Sequence, residues 1–234
     1  MPQFIQNLFT DFIELVFPSA CLGCGQIITS GEVILCTDCR FTLPETGHHR
    51  AGQQDLSNKF AGKIPVTAAY SYLHFTKGGT VQRLIHRIKY NGRKEAGREV
   101  ARWYGLQLTA ENQLISTADM LVGVPLHKSR LRQRGYNQAD WIAEGLADGL
   151  ALPHRTDVLI RVKFAGSQTR RNRLERWQNV KTVFAVSKPD DVKDKHIVIV
   201  DDVMTTGATV EACAVELLKA GCREVSVLTL AATR

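Results

Sequence analysis

The sequence predicts an α/β protein: a mainly parallel sheet flanked by helices, preceded by a small module built on four cysteines. Three observations carry this expectation. From about residue 65, short apolar and β-branched runs alternate with stretches of helical periodicity, the pattern of a layered α/β domain. The run Ile197, Val198, Ile199, Val200 is apolar throughout, as a strand buried in the middle of such a sheet should be. Upstream, Cys21, Cys24, Cys36 and Cys39 are spaced C-x2-C-x11-C-x2-C. The expected organisation is residues 1–44 for an N-terminal helix and cysteine module, 45–63 for a linker, and 64–234 for the α/β domain.

The elements follow in chain order. Residues 3–17 place Phe4, Ile5, Leu8, Phe9, Phe12, Ile13 and Val16 at helical spacing, and Pro18 ends the run. The polar face of this stretch has no Lys or Arg, so it reads as a helix packed on its own protein rather than on a membrane surface. Each C-x2-C pair forms a knuckle that aims two sulfurs at one point. Two knuckles supply four thiolates, the tetrahedral set that a structural zinc ion takes with no open position. Between them, "GQIITSGEVIL" reads as a short hairpin turning at Ser30 and Gly31. Cys213 and Cys222 have no partner motif and read as buried thiols. Residues 45–63 are polar and read as a loop, with His48 and His49 exposed on it.

Within the larger domain, "VTAAYSYL" predicts a strand over 66–73. Helices are predicted over 80–90 and 96–108, broken at Asn91-Gly92. "MLVGVPL" (120–126) and "VLIRV" (158–162) read as strands around a helix over 138–148. Residues 197–200 form the central strand, 208–220 a helix, and "EVSVLTLAA" (224–232) the last strand.

The 234 residues carry a formal net charge of +7, which points to polyanionic partners, either phosphorylated small molecules or nucleic acid. No apolar run approaches the ~20 residues needed to span a bilayer. In residues 1–20 no basic residue precedes the apolar stretch, and Asp11 and Glu14 interrupt it, unlike an export signal. The expected location is therefore the cytoplasm, where clustered cysteines bind metal rather than pair.

The stretch "DDVMTTGATVEA" sits where the central strand ends and a helix begins. In parallel α/β sheets, ligands bind outside the carboxyl ends of the strands. Residues Thr205 to Thr209 supply backbone N–H groups, the hydroxyls of Thr205, Thr206 and Thr209, and a glycine, which are the parts of a phosphate cradle at a helix start. Asp201 and Asp202 face a sugar or a metal, because carboxylates accept hydrogen bonds from paired hydroxyls. Two basic stretches accompany them. "LHKSRLRQRGYNQA" follows the strand ending near Val124, and "SQTRRNRLERWQNV" precedes the central strand. Arginine's forked donors suit phosphate, and its plane stacks on bases.

"VIVDDVMTTGAT" resembles the phosphoribosyl-pyrophosphate (PRPP) motif of type I phosphoribosyltransferases. That resemblance implies that Asp201 and Asp202 hold the ribose hydroxyls and that Thr205, Thr206, Gly207, Ala208 and Thr209 hold the 5′-phosphate, with Val203 and Met204 part of the same PRPP-binding stretch. It implies Leu126, His127 and Lys128 as the pyrophosphate loop and Mg2+ bound together with PRPP. It also implies a mobile catalytic loop around Arg170, which joins the two aspartates as a candidate catalytic residue.

The cysteine module, "RLRQRGYNQA", "SQTRRNRLERWQNV" and "VDDVMTTGATV" together resemble the ComF family of competence-associated proteins over nearly the whole chain. This implies a cytoplasmic protein that assists natural transformation by handling incoming single-stranded DNA, alongside other DNA-uptake proteins such as a helicase. Arg130, Arg132, Arg134, Arg171, Arg173 and Arg176 become candidate nucleic-acid contacts, Zn2+ a structural ion, and PRPP or a related phosphorylated ribose the small ligand. The residues leave a second reading open: a metabolic phosphoribosyltransferase that joins PRPP to a nucleobase and releases pyrophosphate.

Overall fold

In the computed structural model, residues 19–28, 32–50, 55–111, 115, 117–162 and 183–233 are described. The helix expected over 3–17, the turn at Ser30 and Gly31, and Arg170, Arg171, Arg173 and Arg176 lie outside these residues.

The main sheet has five strands, all parallel, in the order β1-β7-β6-β2-β3. They are β1 (Ala68–His74), β2 (Met120–Gly123), β3 (His154–Arg155), β6 (His196–Met204) and β7 (Glu224–Ala232). β4 (Leu159–Arg161) and β5 (Phe184–Val186) form a separate antiparallel ribbon. The run 158–162 thus forms a strand, but outside the main sheet. Leu159 is buried while Ile160 is 41% exposed, a one-sided pattern that a two-stranded ribbon tolerates and a central parallel strand does not.

Alternating side chains of the inner strands feed two cores. Val198, Val200, Leu228 and Leu230 face one layer. That layer comprises α2 (Thr80–Tyr90), α3 (Lys94–Glu111) and α5 (Gln138–Leu150). Ile197, Ile199, Val225 and Val227 face the other, formed by α7 (Ala208–Lys219), the β4–β5 ribbon, Val192 of the short α6 (Pro189–Val192), and a 3-10 turn at Ser57–Phe60. A sheet apolar on both faces is what the uninterrupted run at 197–200 requires.

The cysteine module, with its short α1 (Thr37–Phe41), is not a separate bead. Cys21, Leu22, Ile34, Leu35, Cys39 and Leu43 belong to the same apolar cluster as α2 and α3. The segment expected as a polar loop runs back along β1. The Thr46 N–H donates to the Tyr72 carbonyl, the Leu56 N–H donates to the Ala69 carbonyl, and Leu56 and Phe60 are buried. His49 departs from the expected exposure: it is 4% exposed, edge-on to Tyr104 with ring centroids 5.4 Å apart and Nε2 3.3 Å from Glu111 Oε2. The apolar body of an imidazole fills a packing site while its nitrogen finds a carboxylate at the rim. Among the described residues, no helix is long and apolar enough to cross a membrane.

The closest helix contact joins α3 to α5 backbone to backbone. A methyl group added at Gly145 would stand 1.9 Å from the Arg98 carbonyl oxygen, and one at Gly105 would stand 2.9 Å from the Gly149 Cα. Neither neighbour is a movable side-chain tip. Gly145→Ala is therefore expected to lower unfolding stability by about 3 kcal/mol, the upper range for overpacking, read as a shift of the urea midpoint at unchanged slope.

Candidate functional site

The four cysteines converge as the spacing requires. Their Sγ atoms all lie within 4.8 Å of one another, and Cys24 Sγ to Cys36 Sγ is 3.8 Å. A tetrahedral ion with sulfur ligands at ~2.3 Å sets its sulfurs about 3.8 Å apart, so the donor set fits one zinc-sized ion. Backbone N–H groups aim at the sulfurs as well. Gly23 and Cys36 donate to Cys21 Sγ at 3.3 and 3.2 Å, and Cys39 donates to Cys36 Sγ at 3.4 Å. Burial alone would raise the Cys21 thiol. The N–H groups of Cys36, Cys24 and Gly23 outweigh it and bring Cys21 down to about 6. Cys39 goes the other way, pushed well up by burial and by the sulfurs crowded around it. Such a cluster resists ionising fully by itself, and a divalent cation relieves that resistance. Cys213 and Cys222 are buried elsewhere, as expected.

The second site arises from how the strands are ordered. From β2 the chain crosses through α5 to β3 on one side, and from β6 it crosses through α7 to β7 on the other. Strand order therefore reverses between β2 and β6, where a crevice opens beyond their carboxyl ends. β6 also outruns β2: Gly123 pairs with Val200, and beyond that point β6 pairs with β7 only, Asp201 opposite Thr229 and Met204 opposite Ala232. The two aspartates sit on this overhang.

Asp202 is nearly enclosed, its side chain 7% exposed, with Oδ2 2.9 Å from the ammonium of Lys89. The Asp202 N–H donates to Asp201 Oδ1 at 2.8 Å. Burial, reinforced by the charge of Asp202, pushes the Asp201 carboxyl up to about 7, against the lowering effect of the Asp202 N–H and of Lys89. Thr205 and Thr206 are exposed on the loop that opens α7. Gly207, at φ 80°, stands at its N-cap in the left-handed region that glycine accepts without strain. The ring of Phe60 lies beneath the loop, 3.0 Å from where a Gly207 Cβ would be, and Lys59 Nζ donates to the carbonyls of Thr205 (2.9 Å) and Thr233 (3.2 Å). At the start of α7 the Ala208 N–H donates to Thr206 Oγ1 at 3.4 Å, and a helix N-terminus of this kind is suited to an anion.

Across the crevice, the segment expected as an irregular basic loop contains a helix, α4 (Lys128–Arg134). It has a single large apolar residue, Leu131, itself 41% exposed, so no apolar periodicity betrayed it. His127 is its N-cap, with Nδ1 accepting the Ser129 N–H at 3.2 Å, and Gly135 closes it in the left-handed conformation. Leu126 is half-buried, whereas Lys128, Arg130 and Arg132 are exposed. Arg134 is committed within the protein, bonded to Gln138 Oε1 at 2.7 Å and stacked 4.8 Å over the Tyr90 ring. Asp201, Asp202 and Thr205–Thr209 thus lie at and just beyond the carboxyl end of β6, and Leu126–Lys128 just beyond that of its parallel neighbour β2.

Sequence reasoning missed Lys89, Lys59, Phe60 and Asp140. Asp140, in the first turn of α5, is pushed up to about 6 by burial and packs where a Gly123 side chain would otherwise be. Each reads as an ordinary surface or core residue until the fold brings it to the crevice.

The fold and crevice define a phosphoribosyltransferase-type domain, and the model of the phosphoribosyl transferase domain family matches residues 140–234. Whole-chain relatives narrow this. The DNA utilization protein YhgH of Escherichia coli K12 is 32% identical over 215 residues, covering 91% of this chain and 90% of that one. Competence protein F of Haemophilus influenzae is 32% identical over 226 residues, covering 92% and 97%. Among solved structures, a glutamine PRPP amidotransferase from B. subtilis aligns with 62% of this chain and 30% of its own, with 22% identity and a TM-score of 0.43. The chain belongs to the ComF family of competence proteins.

Two outcomes follow from these geometries. Because the native Asp201 carboxyl holds its proton to higher pH than an unfolded one, its contribution to stability is present in acid and is lost as pH rises from about 4 to about 7. Asp201→Asn, whose amide oxygen still accepts the Asp202 N–H, is expected to melt higher than the parent at pH 8, with the difference vanishing by pH 4. Cys39→Ser removes one of four converging sulfurs, so bound metal measured by atomic absorption should fall to a small fraction of one ion per chain and the melting temperature should drop by several degrees.

Proposed function

We propose that the protein binds PRPP, or a closely related phosphorylated ribose, together with Mg2+ in the crevice between β2 and β6, and that it assists natural transformation by handling incoming single-stranded DNA in the cytoplasm. The observation that carries the small-molecule part is the overhang of β6, which presents two adjacent carboxylates and then a helix N-terminus at the point where strand order reverses. Ribose offers paired hydroxyls to Asp201 and Asp202. Its 5′-phosphate suits the N–H groups and hydroxyls of Thr205 to Thr209, and the pyrophosphate arm suits Leu126 to Lys128 across the crevice. Mg2+ takes oxygen ligands and substrate phosphates, so Asp201, Asp202 and the ligand's own oxygens supply its shell. A zinc ion on Cys21, Cys24, Cys36 and Cys39 has a structural role, since all four positions are filled by the chain.

The DNA part is supported by relatives named for DNA utilization and competence, and by the exposed charges of Lys128, Arg130 and Arg132 beside the crevice. Arg134 contributes less, being held by Gln138 and Tyr90. Arg171, Arg173 and Arg176 join the proposal through the family resemblance.

Titration calorimetry with Mg2+ and PRPP tests the site. The parent protein is expected to bind, and the double variant Asp201→Ala, Asp202→Ala is expected to lose binding while still unfolding cooperatively. Unchanged affinity in that variant would overturn the assignment. Following pyrophosphate release with added nucleobases and with single-stranded DNA separates the two functional readings. Release driven by a free base supports the metabolic alternative. DNA affinity that falls steeply with salt supports the competence role, because each neutralised phosphate frees counterions.

A further inference from the structure

The helix α2 touches both sites. Two of its arginines reach the first cysteine knuckle: Arg83 Nε donates to the Gly23 carbonyl at 2.7 Å, and an Arg87 guanidinium N–H donates to the Cys21 carbonyl at 2.6 Å. Arg83 is fixed further by the Gly78 carbonyl and the Thr80 hydroxyl, each at 3.0 Å. Six residues beyond Arg83 and two beyond Arg87, in the last turn of the same helix, stands Lys89, whose ammonium lies 2.9 Å from Asp202. The rest of α2 is bound down, with Val81, Leu84, Ile85 and Ile88 buried. An eleven-residue helix spans only about 16 Å, so what sets its axial position at the knuckle sets it at the carboxylate as well.

The ion pair is largely enclosed, with side-chain exposure of 22% for Lys89 and 7% for Asp202. Among the described residues it is the single ion pair that Asp202 makes. Asp201 and Asp202 are consecutive on β6, and a carboxylate that loses its one cation is free to swing away from a sugar. Lys89 is therefore placed to hold Asp202 in position. Surface pairs of this kind contribute little, but enclosed ones matter because removing one partner strands the other.

We infer that Lys89 is the positioning residue of the acidic pair, and that the helix carrying it makes the pair's hold on a ribose phosphate depend on metal in the cysteine module. This rests on the reading of the crevice as a PRPP site. By linkage the dependence runs both ways: a ligand that binds better to the metal-loaded protein must also raise the protein's affinity for the metal by the same factor. The two knuckle carbonyls are the mechanical contact. Stripped of metal, the Cys21–Cys24 turn no longer presents them at fixed positions, Arg83 and Arg87 lose their contacts to it, and the end of α2 bearing Lys89 loosens.

The test uses the full chain loaded with zinc, in parent, Lys89→Met and Lys89→Arg forms, with thermal melts to establish that each is folded. Affinity for PRPP with Mg2+ is measured by calorimetry, and zinc affinity by equilibrium competition with a coloured chelator, with and without saturating PRPP. Lys89→Met is expected to weaken PRPP about tenfold or more, and Lys89→Arg to recover most of that loss. PRPP should raise the parent's zinc affinity at least about fivefold, the low end for coupling between distinct sites, and should leave the zinc affinity of Lys89→Met unchanged. If Lys89→Met binds PRPP as the parent does, or PRPP leaves the parent's zinc affinity unaltered, the inference falls while the PRPP site stands. A parent protein that does not bind PRPP overturns both.

Discussion

The structure depends on β6 being longer than its neighbour β2. A parallel strand buried on both faces must be apolar along its paired length, and that requirement holds from Ile197 to Val200. Where β2 ends, β6 loses cover on one side while β7 continues to pair with it. Carboxylates are tolerated there and nowhere earlier on the strand. Even so the position is costly, as the raised Asp201 carboxyl indicates. The burden is shared among a nearby ammonium, the positive end of α7, and the Asp202 N–H bonded to its neighbour. Sites that bind often keep such uncompensated polarity, because the ligand completes it.

The second dependence is the continuity of one core from the cysteine module to the sheet. Leu22, Ile34 and Leu35 pack in the same cluster as Leu84, Val100 and Leu121. A module this small has little apolar surface with which to fold alone. It borrows burial from α2 and α3, and in return it covers the face of α2 whose arginines would otherwise point to water. The close α3–α5 contact, permitted by Gly105, Gly145 and Gly149, sets the depth of that layer.

Much of this was legible in the sequence, and the rest was hidden for reasons that can be stated. α2 and β7 fall on the residues that apolar periodicity predicts, because each carries a full face or length of buried side chains. The cysteine cluster was readable because a metal-binding knuckle is a local object whose spacing is its geometry. The strand end, loop and helix start from Asp201 to Thr209 were readable because they are consecutive in the chain. By contrast, α4 is held by caps at His127 and Gly135 rather than by an apolar stripe, and β3 is two residues long. The buried His49 and Phe60 lie in a stretch whose composition is that of a loop; they are drawn inward by the edge of β1, which no local pattern reports. Lys89 belongs to the crevice only through a contact distant in sequence, and its own neighbourhood reads as the basic end of an amphipathic helix.

The charge layout of the crevice gives the final constraint on any occupant. One rim is acidic, with Asp201 and Asp202, and it turns at once into a helix N-terminus. The opposite rim is basic, with Lys128, Arg130 and Arg132 on and around α4. A plain dicarboxylate or a plain cation satisfies one rim and is repelled by the other. A neutral nucleobase satisfies neither. In the proposed binding mode, a molecule with hydroxyl donors in its middle and phosphate groups at both ends would meet N–H or guanidinium groups with each phosphate while its hydroxyls face the carboxylates. A net charge of +7 spread over the chain favours the approach of such an anion but does not select it. In the proposed site, selection would lie in the reversal of sign between the two strand ends, with the acidic side set by the strand overhang and by the helix that holds Lys89 against Asp202.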